Sequence, residues 1–259
     1  MSGQVRLERD GAIAHVLFDN PAAYNALTKD MWRALRDISR ELSKDSSVRV
    51  VTFRGVGGKA FVSGTDISGF ASFDSEGQDG VAYERMIDEC MGAVDEIPQT
   101  TIAIVDGWAI GGGINISSSC DFRIATPNAR FGSPIGRTIA NCLSMNSCAR
   151  IAGAVGVQYA KRMVLLGEII SAQQLLDSGF LLKIVEPAEL DAAVAELCQR
   201  AAENAPLTTR TTKESVFRMT YEGLPEIEGL IAQVYGSNDF RQGVRHFLDK
   251  QPMPEWVGD

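Results

Sequence analysis

Histidine is nearly missing from this 259-residue chain: His15 and His246 are the only two. Neither lies in an HExxH segment or a Cys/His cluster, which argues against a zinc site. The five cysteines, Cys90, Cys120, Cys142, Cys148 and Cys198, are odd in number and include no Cys-x-x-Cys pair. They read as free thiols in a reducing compartment. The start, MSGQVRLERDG, is polar and lacks the apolar region of a signal peptide. No run of about 18 apolar residues occurs, so no membrane span is expected. A cytoplasmic location is the resulting expectation. Basic excess is missing too: 25 Lys and Arg face 33 Asp and Glu, a net charge of −8. A duplex nucleic-acid binder carries a basic footprint, so that class is disfavoured. Any anionic ligand must be held by local groups against the global charge. Neither GxxxxGK[ST] nor GxGxxG is found, which excludes the common phosphate loops.

What is present is a globular composition, 45% hydrophobic and 22% charged, with 25 glycines and 9 prolines. The length is enough for a sizeable core without disulfides. Val5, Leu7 and Ile13 to Phe18 predict a hairpin around the turn signal Asp10-Gly11. Thr28 can cap a helix whose apolar positions are Met31, Trp32, Leu35, Ile38 and Leu42. Val48 to Phe53 reads as a buried strand, running into a loop with Gly55, Gly57, Gly58 and Gly64. Residues 72–80 are polar and read as a mobile loop. A helix over 81–97 and a strand at Thr101–Val105 follow. Ile114 to Cys120 reads as helix and Phe122 to Ala125 as strand. Beyond about residue 138 the pattern is helical, with Leu181–Val185 as the one late strand and Pro206 and Pro225 as punctuation. Strand-loop-helix units followed by helices define an α/β core with a helical C-terminal part.

Two glycine-rich turns follow short strands. One is Ala60-Phe61-Val62-Ser63-Gly64-Thr65-Asp66-Ile67; the other, Gly111-Gly112-Gly113, opens a helix. Glycine lets backbone approach a ligand closely, and a helix N-terminus offers unpaired N–H groups with partial positive charge. Two such N–H groups aimed at one point would form an oxyanion hole. For either turn alone, a tight turn with close helix packing is the simpler account.

Together these segments resemble the enoyl-CoA hydratase/isomerase (crotonase) superfamily. Asn20 to Leu27 is similar to its N-x-x-x-x-N-A-L segment, and Lys59 to Ile67 to its F-x-x-G-x-D-[IL] loop. Asp106 to Gly113 is similar to N-G-x-x-x-G-G-G, with Asp for the first Asn. Cys120 to Ala125, Ala129 to Gly132, Gly167 to Ala172, Gly179 to Leu181 and Arg241 to Lys250 continue the likeness in order. The resemblance implies a crotonase-like spiral of ββα units over residues 1–195. It implies a helical C-terminal trimerisation region over 196–259. It implies an acyl-CoA substrate, no metal or redox cofactor, and a homotrimer or hexamer; charge and hydropathy add the expectation of no nucleic-acid or membrane partner. Apolar helix positions Ile227, Leu230, Ile231 and Val234 would meet a neighbour. The oxyanion donors would be the N–H groups of Thr65 and Gly112. Substrate contacts would come from Ala23, Val62, Asp66, Ile67 and Gly111, with Lys59 and a neighbour's Lys250 supplying charge.

The chain departs from the pattern at both acid/base positions. Asn115 and Ile135 stand where hydratases of the family carry Glu. Hydration needs groups that deprotonate water and protonate carbon. Asn115 can hold a water but is no base near neutral pH, and Ile135 does neither. The function expected is therefore enolate chemistry on a thioester by a route other than two-Glu hydration. Decarboxylation, C–C cleavage and hydrolysis are open, and Arg137 suits a second carboxylate on the substrate or, equally, a solvated surface. The alternatives are a non-catalytic acyl-CoA-binding scaffold and, more weakly, an RNA-binding relative. Against the scaffold stands the glycine triplet, because packing should need fewer glycines than a donor loop. Asp66 and Asp121 read as turn braces, Cys142 as core, His15 as a packed strand residue and His246 as surface or interface. Asp74, Glu76 and Asp79 read as a solvated loop able to swing, and Glu84 and Asp88 as surface carboxylates.

Overall fold

The computed structural model describes residues 3–221, 223, 228–252 and 254; Pro225 and Ile227 lie outside them. The hairpin forms from β1 (Gln4–Asp10) and β2 (Ile13–Asp19). Asp10 pairs with Ile13, so the connecting residues are Gly11 and Ala12, one position later than the Asp-Gly signal. Ala14, Val16 and Phe18 of β2 are buried and alternate with half-buried residues, as a strand with one covered face requires. Thr28 caps α1 (Lys29–Leu42) by accepting from Met31 N at 3.2 Å. Met31, Trp32, Leu35 and Leu42 form its buried stripe.

The next elements come in a repeated order of strand, short corner, strand, helix. β3 (Val50–Gly55) and β4 (Ala60–Val62) precede a 3₁₀ turn at Ile67–Ser72 and α2 (Gln78–Asp95). β5 (Thr100–Val105) and β6 (Trp108–Ile110) precede α3 (Gly112–Ser119). β7 (Phe122–Ala125) and β8 (Arg130–Gly132) precede α4 (Ile135–Thr138) and α5 (Met145–Val155). The chain then adds α6 (Val157–Leu165), β9 (Ile170–Ser171), α7 (Ala172–Asp177), β10 (Lys183–Ile184) and α8 (Leu190–Ala202). It ends with α9 (Pro206–Tyr221), α10 (Glu228–Tyr235) and α11 (Asn238–Asp249).

First strands of the units collect in one sheet, ordered β1-β2-β3-β5-β7-β10, and second strands in another, ordered β4-β6-β8-β9. All pairs are parallel except β1 with β2 and β8 with β9. Successive corners stack: Trp108 N donates to Lys59 O at 3.2 Å, and Arg130 N to Gly107 O at 3.0 Å. The spiral inferred from the resemblance is this arrangement. The short second strands lacked a readable pattern, because three residues do not establish a period.

Trp32, Phe18, Phe53, Phe61, Met91 and Phe131 fill the space between the sheets and α1 to α3. Val185, Leu190, Val194 and Cys198 cover Val50, Ile102, Ile104 and Ile124 on the outer face of the first sheet. Ile231, Tyr235, Phe240 and Val244 of α10 and α11 cover Ile67, Phe70, Val81 and Ile139. All five cysteines are free thiols. Among the described residues no helix is long and apolar enough to cross a membrane.

Residues 72–80 differ from expectation. Asp74 accepts from Glu76 N (2.7 Å), Gln78 N (3.1 Å) and Asp79 N (2.6 Å), while Asp79 accepts from Asp74 N (2.9 Å). These donors, that of Asp79 foremost, hold the Asp74 carboxyl below its usual range. Polarity was read as mobility, yet Asp74 orders the start of α2 and is not a swinging acid.

Candidate active site

The site begins with segment 20–28, which braces the first glycine-rich turn. Asn25 is buried; its Nδ2 donates to Ala60 O (2.8 Å) and Val56 O (3.0 Å), and its Oδ1 accepts from Asn20 N (2.9 Å). Ser63 N donates to Tyr24 O at 3.2 Å, and Ser63 Oγ to Ala23 O at 3.3 Å. Leu27 N then donates to Gly64 O, and Asp66 N to Leu27 O, both at 2.9 Å. In parallel pairing the residue between those two groups turns its own N–H to the other side. Thr65 is that residue, so its N–H points away from Leu27.

The second turn comes against the first. Gly111 takes φ +53° and spends its N–H on Gly132 O at 2.9 Å. Gly112 is the first residue of α3, where N–H groups have no intrahelical acceptor and the helix end is partly positive. A Cβ on Gly111 would lie 3.6 Å from Gly64 Cα, and one on Gly112 3.7 Å from Gly64 C and 2.8 Å from Trp32 Cζ2. A Cβ on Gly113 would lie 2.1 Å from Val62 O. Packing and backbone angle thus account for all three glycines. That overturns the expectation that packing needs fewer, and the triplet does not separate a catalyst from an inert scaffold.

The Thr65 side chain is held from two sides. Trp32 Nε1 donates to Thr65 Oγ1 at 3.1 Å, and Thr65 Oγ1 shares a hydrogen with Tyr83 OH at 2.7 Å. Asp66 is exposed and accepts from Ser68 N at 2.9 Å, capping the turn that follows. Val62 and Ile67 are buried, whereas Ala23 and Lys59 are exposed. Lys250 is exposed at the end of α11.

Asn115 is buried and committed inward. Its Nδ2 donates to Ser147 Oγ at 3.0 Å, and its Oδ1 accepts from Arg150 Nη1 at 3.3 Å. Arg150 is itself buried and paired with Asp95 at 2.6 Å. The water-holding role foreseen for Asn115 meets an amide already engaged at both ends. Ile135 is half-buried at the start of α4. Arg137 is exposed, and its stem lies across Gly167, where an added Cβ would be 2.3 Å from Arg137 Cδ.

Glu84 is the residue that sequence reasoning misplaced. It is 3% exposed, accepts from Tyr235 OH (2.6 Å) and Ser144 N (2.9 Å), and lies in a wall shared with Asn141, whose Nδ2 donates to Tyr235 OH (3.2 Å). Burial pushes its carboxyl up to about 7, against the pull of those two donors. A signal was available: Val81, Glu84, Ile87 and Met91 share one helical face, and a carboxylate inside an apolar stripe marks a buried acid. Asp88, its neighbour one turn on, is half-buried and accepts from Ser144 Oγ at 2.6 Å. The remaining candidates are structural. Asp121 accepts from Thr101 N (2.7 Å) and pairs with Lys213 (2.8 Å). His15 meets Thr52 Oγ1 at 2.7 Å, and His246 is half-buried on α11. Burial pushes the Cys142 thiol up to about 12, which leaves it protonated at neutral pH.

Comparison with known proteins agrees with this geometry. A short-chain-enoyl-CoA hydratase of Clostridium acetobutylicum is 33% identical over 254 residues, 96% of each chain. An enoyl-CoA hydratase/carnithine racemase structure from Magnetospirillum magneticum is 31% identical, with a TM-score of 0.80 over 98% of this chain and 96% of that one. A methylmalonyl-CoA decarboxylase solved with 2S-carboxypropyl-CoA is 25% identical, with a TM-score of 0.88 over all of both chains. The family model for enoyl-CoA hydratase/isomerase matches residues 8–258, and with two braced glycine-rich turns meeting at Gly64, the chain belongs to that family.

Proposed function

We propose that this protein is an enzyme that binds an acyl-CoA and polarises its thioester carbonyl between the N–H groups of Thr65 and Gly112. The observation that carries this reading is the meeting of the two turns at Gly64, one with its N–H turned outward and the other at a helix N-terminus. The carbonyl oxygen gains negative charge as an enolate forms, and fixed donors stabilise that charge; losing one typically costs about 100- to 1000-fold in rate.

The reaction is one that does without the two missing carboxylates. Loss of CO2 from a substrate carboxylate fits best. The C–C bond breaks and CO2 leaves, the bond's electron pair passes into the thioester as an enolate, and Cα then takes a proton from solvent water, so no base is required. The guanidinium of Arg137, exposed and without a hydrogen-bonded or ionic partner among the described residues, would attract that carboxylate. The family likeness to a methylmalonyl-CoA decarboxylase supports the same choice. Ala23, Val62, Ile67 and Lys59 would contact the CoA, joined by Lys250 of a neighbour in a homotrimer or hexamer. The reading calls for no metal or redox cofactor.

The test is turnover of a panel of acyl-CoAs, followed by mass spectrometry, beside binding of the same compounds by calorimetry. Crotonyl-CoA should be hydrated far below ordinary enzyme rates of about 10 per second, while a carboxylated acyl-CoA loses CO2. Fast hydration would show that another residue supplies the base. Binding without turnover of any compound would favour the second reading, an acyl-CoA-binding scaffold, which the packing demand on all three glycines also permits.

A further inference from the structure

Trp32 touches both turns of the candidate site. It is fully buried on α1, and its indole N–H donates to Thr65 Oγ1 at 3.1 Å. The far edge of the same ring lies beneath Gly112, with Cζ2 and Cη2 at 2.8 Å and 3.2 Å from where a Cβ would stand. A buried indole N–H needs an acceptor, so the hydroxyl at position 65 and the tryptophan are interdependent. Tyr83 closes the arrangement from α2. Its OH meets Thr65 Oγ1 at 2.7 Å, and its ring packs on Phe70 and Phe73 with centroids 4.8 Å and 6.3 Å away. The Thr65 hydroxyl, with one hydrogen and two lone pairs, can serve both partners at once. Its side chain is thereby fixed, and the backbone at Thr65 with it.

We propose that Trp32 and Tyr83 are positioning residues: by gripping the Thr65 hydroxyl, with the Trp32 ring also under Gly112, they set the separation and aim of the two N–H donors. This rests on the reading of Thr65 and Gly112 as thioester donors. Two N–H groups on different turns act together only if the turns cannot slide, and misplacement of reacting groups by about 1 Å can cost about 100-fold. A residue without a hydroxyl at position 65 would leave the indole N–H without its acceptor and the turn free to shift.

The experiment is isotope-edited infrared spectroscopy of bound butyryl-CoA labelled with carbon-13 at the thioester carbonyl. In the unmodified protein the carbonyl stretch should move to lower wavenumber than in free butyryl-CoA. Thr65→Val, nearly isosteric but without the hydroxyl, should lose most of that shift, and so should Trp32→Phe. Thr65→Ser, which restores the acceptor, should keep it. With a substrate that turns over, Thr65→Val should lower kcat by about 10- to 100-fold with KM little changed. A Thr65→Val protein that keeps the full shift overturns the inference and leaves the donor assignment standing. If Thr65→Val does not fold, Tyr83→Phe decides: a reduced shift supports the grip, and an unchanged shift overturns it. Bound butyryl-CoA with no shift in the unmodified protein would reject the donor assignment itself, and this inference with it.

Discussion

The spiral and helix α9 are held by different forces. Between the sheets, Phe18, Phe53, Phe61 and Phe131 are fully buried, and Phe18 meets Phe61 edge-on at 5.4 Å. Helix α9 buries none of its residues. It is anchored by polar contacts, with Lys213 pairing with Asp121 at 2.8 Å and donating to Gln99 O at 2.7 Å. Beside it runs a groove of about 860 Å³, bounded by Lys213, Tyr221, Asp95, Ser118 and Asp121. Leu207, Val216 and Met219 are 76%, 57% and 87% exposed. The difference teaches that the site-bearing spiral carries its own core, whereas α9 carries apolar side chains that a single chain does not cover. A neighbouring subunit would cover them, in line with the proposed trimer.

Changes in the two regions should separate cleanly. Phe61→Ala empties the space between the sheets and should destabilise the chain by about 3–5 kcal/mol, measured by urea unfolding. Glu84 comes next, at the seam where α10 meets the spiral. Burial holds its folded pKa at about 7, above the ordinary carboxylate value of about 4.5, so the folded state holds the proton more tightly. That contribution is complete below pH 4.5 and is lost as pH rises through 7, on the order of 3 kcal/mol in all. Unfolding measured from pH 5 to 8 should show this decline, and Glu84→Gln should flatten it; equal slopes in the two proteins would place the carboxyl in an ordinary environment. Removing the α1 cap by Thr28→Ala should cost about 1 kcal/mol. Met219→Lys on α9 should change chain stability by less than about 0.5 kcal/mol. Sedimentation should nonetheless show it shifting assembled protein toward monomer. A large loss of chain stability from Met219→Lys, with no change in assembly, would erase the contrast between the regions.

Features confined to a few neighbouring residues were legible in the sequence. The hairpin, the capped helix after Thr28, the strand leading to Asp106 and the helix opening at the glycine triplet follow from turn chemistry and periodicity. Ordered resemblance supplied the spiral and the pairing of the two turns. The loop over 72–80 was misread, since an acid that caps a helix and an acid in solvent look alike in one dimension. Glu84 was misread because its i, i+4 spacing with Asp88 was weighed above its place among Val81, Ile87 and Met91.

By itself the sequence determined the local pieces: which runs form strands, where helices start, and that no carboxylate stands at positions 115 and 135. Only the tertiary structure decided what those pieces meet. Trp32, Thr65, Tyr83 and Gly112 come from four separate segments, and the stacking of spiral turns brings them together. The physical reason is range. Turn and helix preferences act over a few residues, while burial and hydrogen-bond partnership depend on neighbours that the chain reaches only after folding. The same reach turns Glu84 from a surface acid into a buried one with a raised pKa.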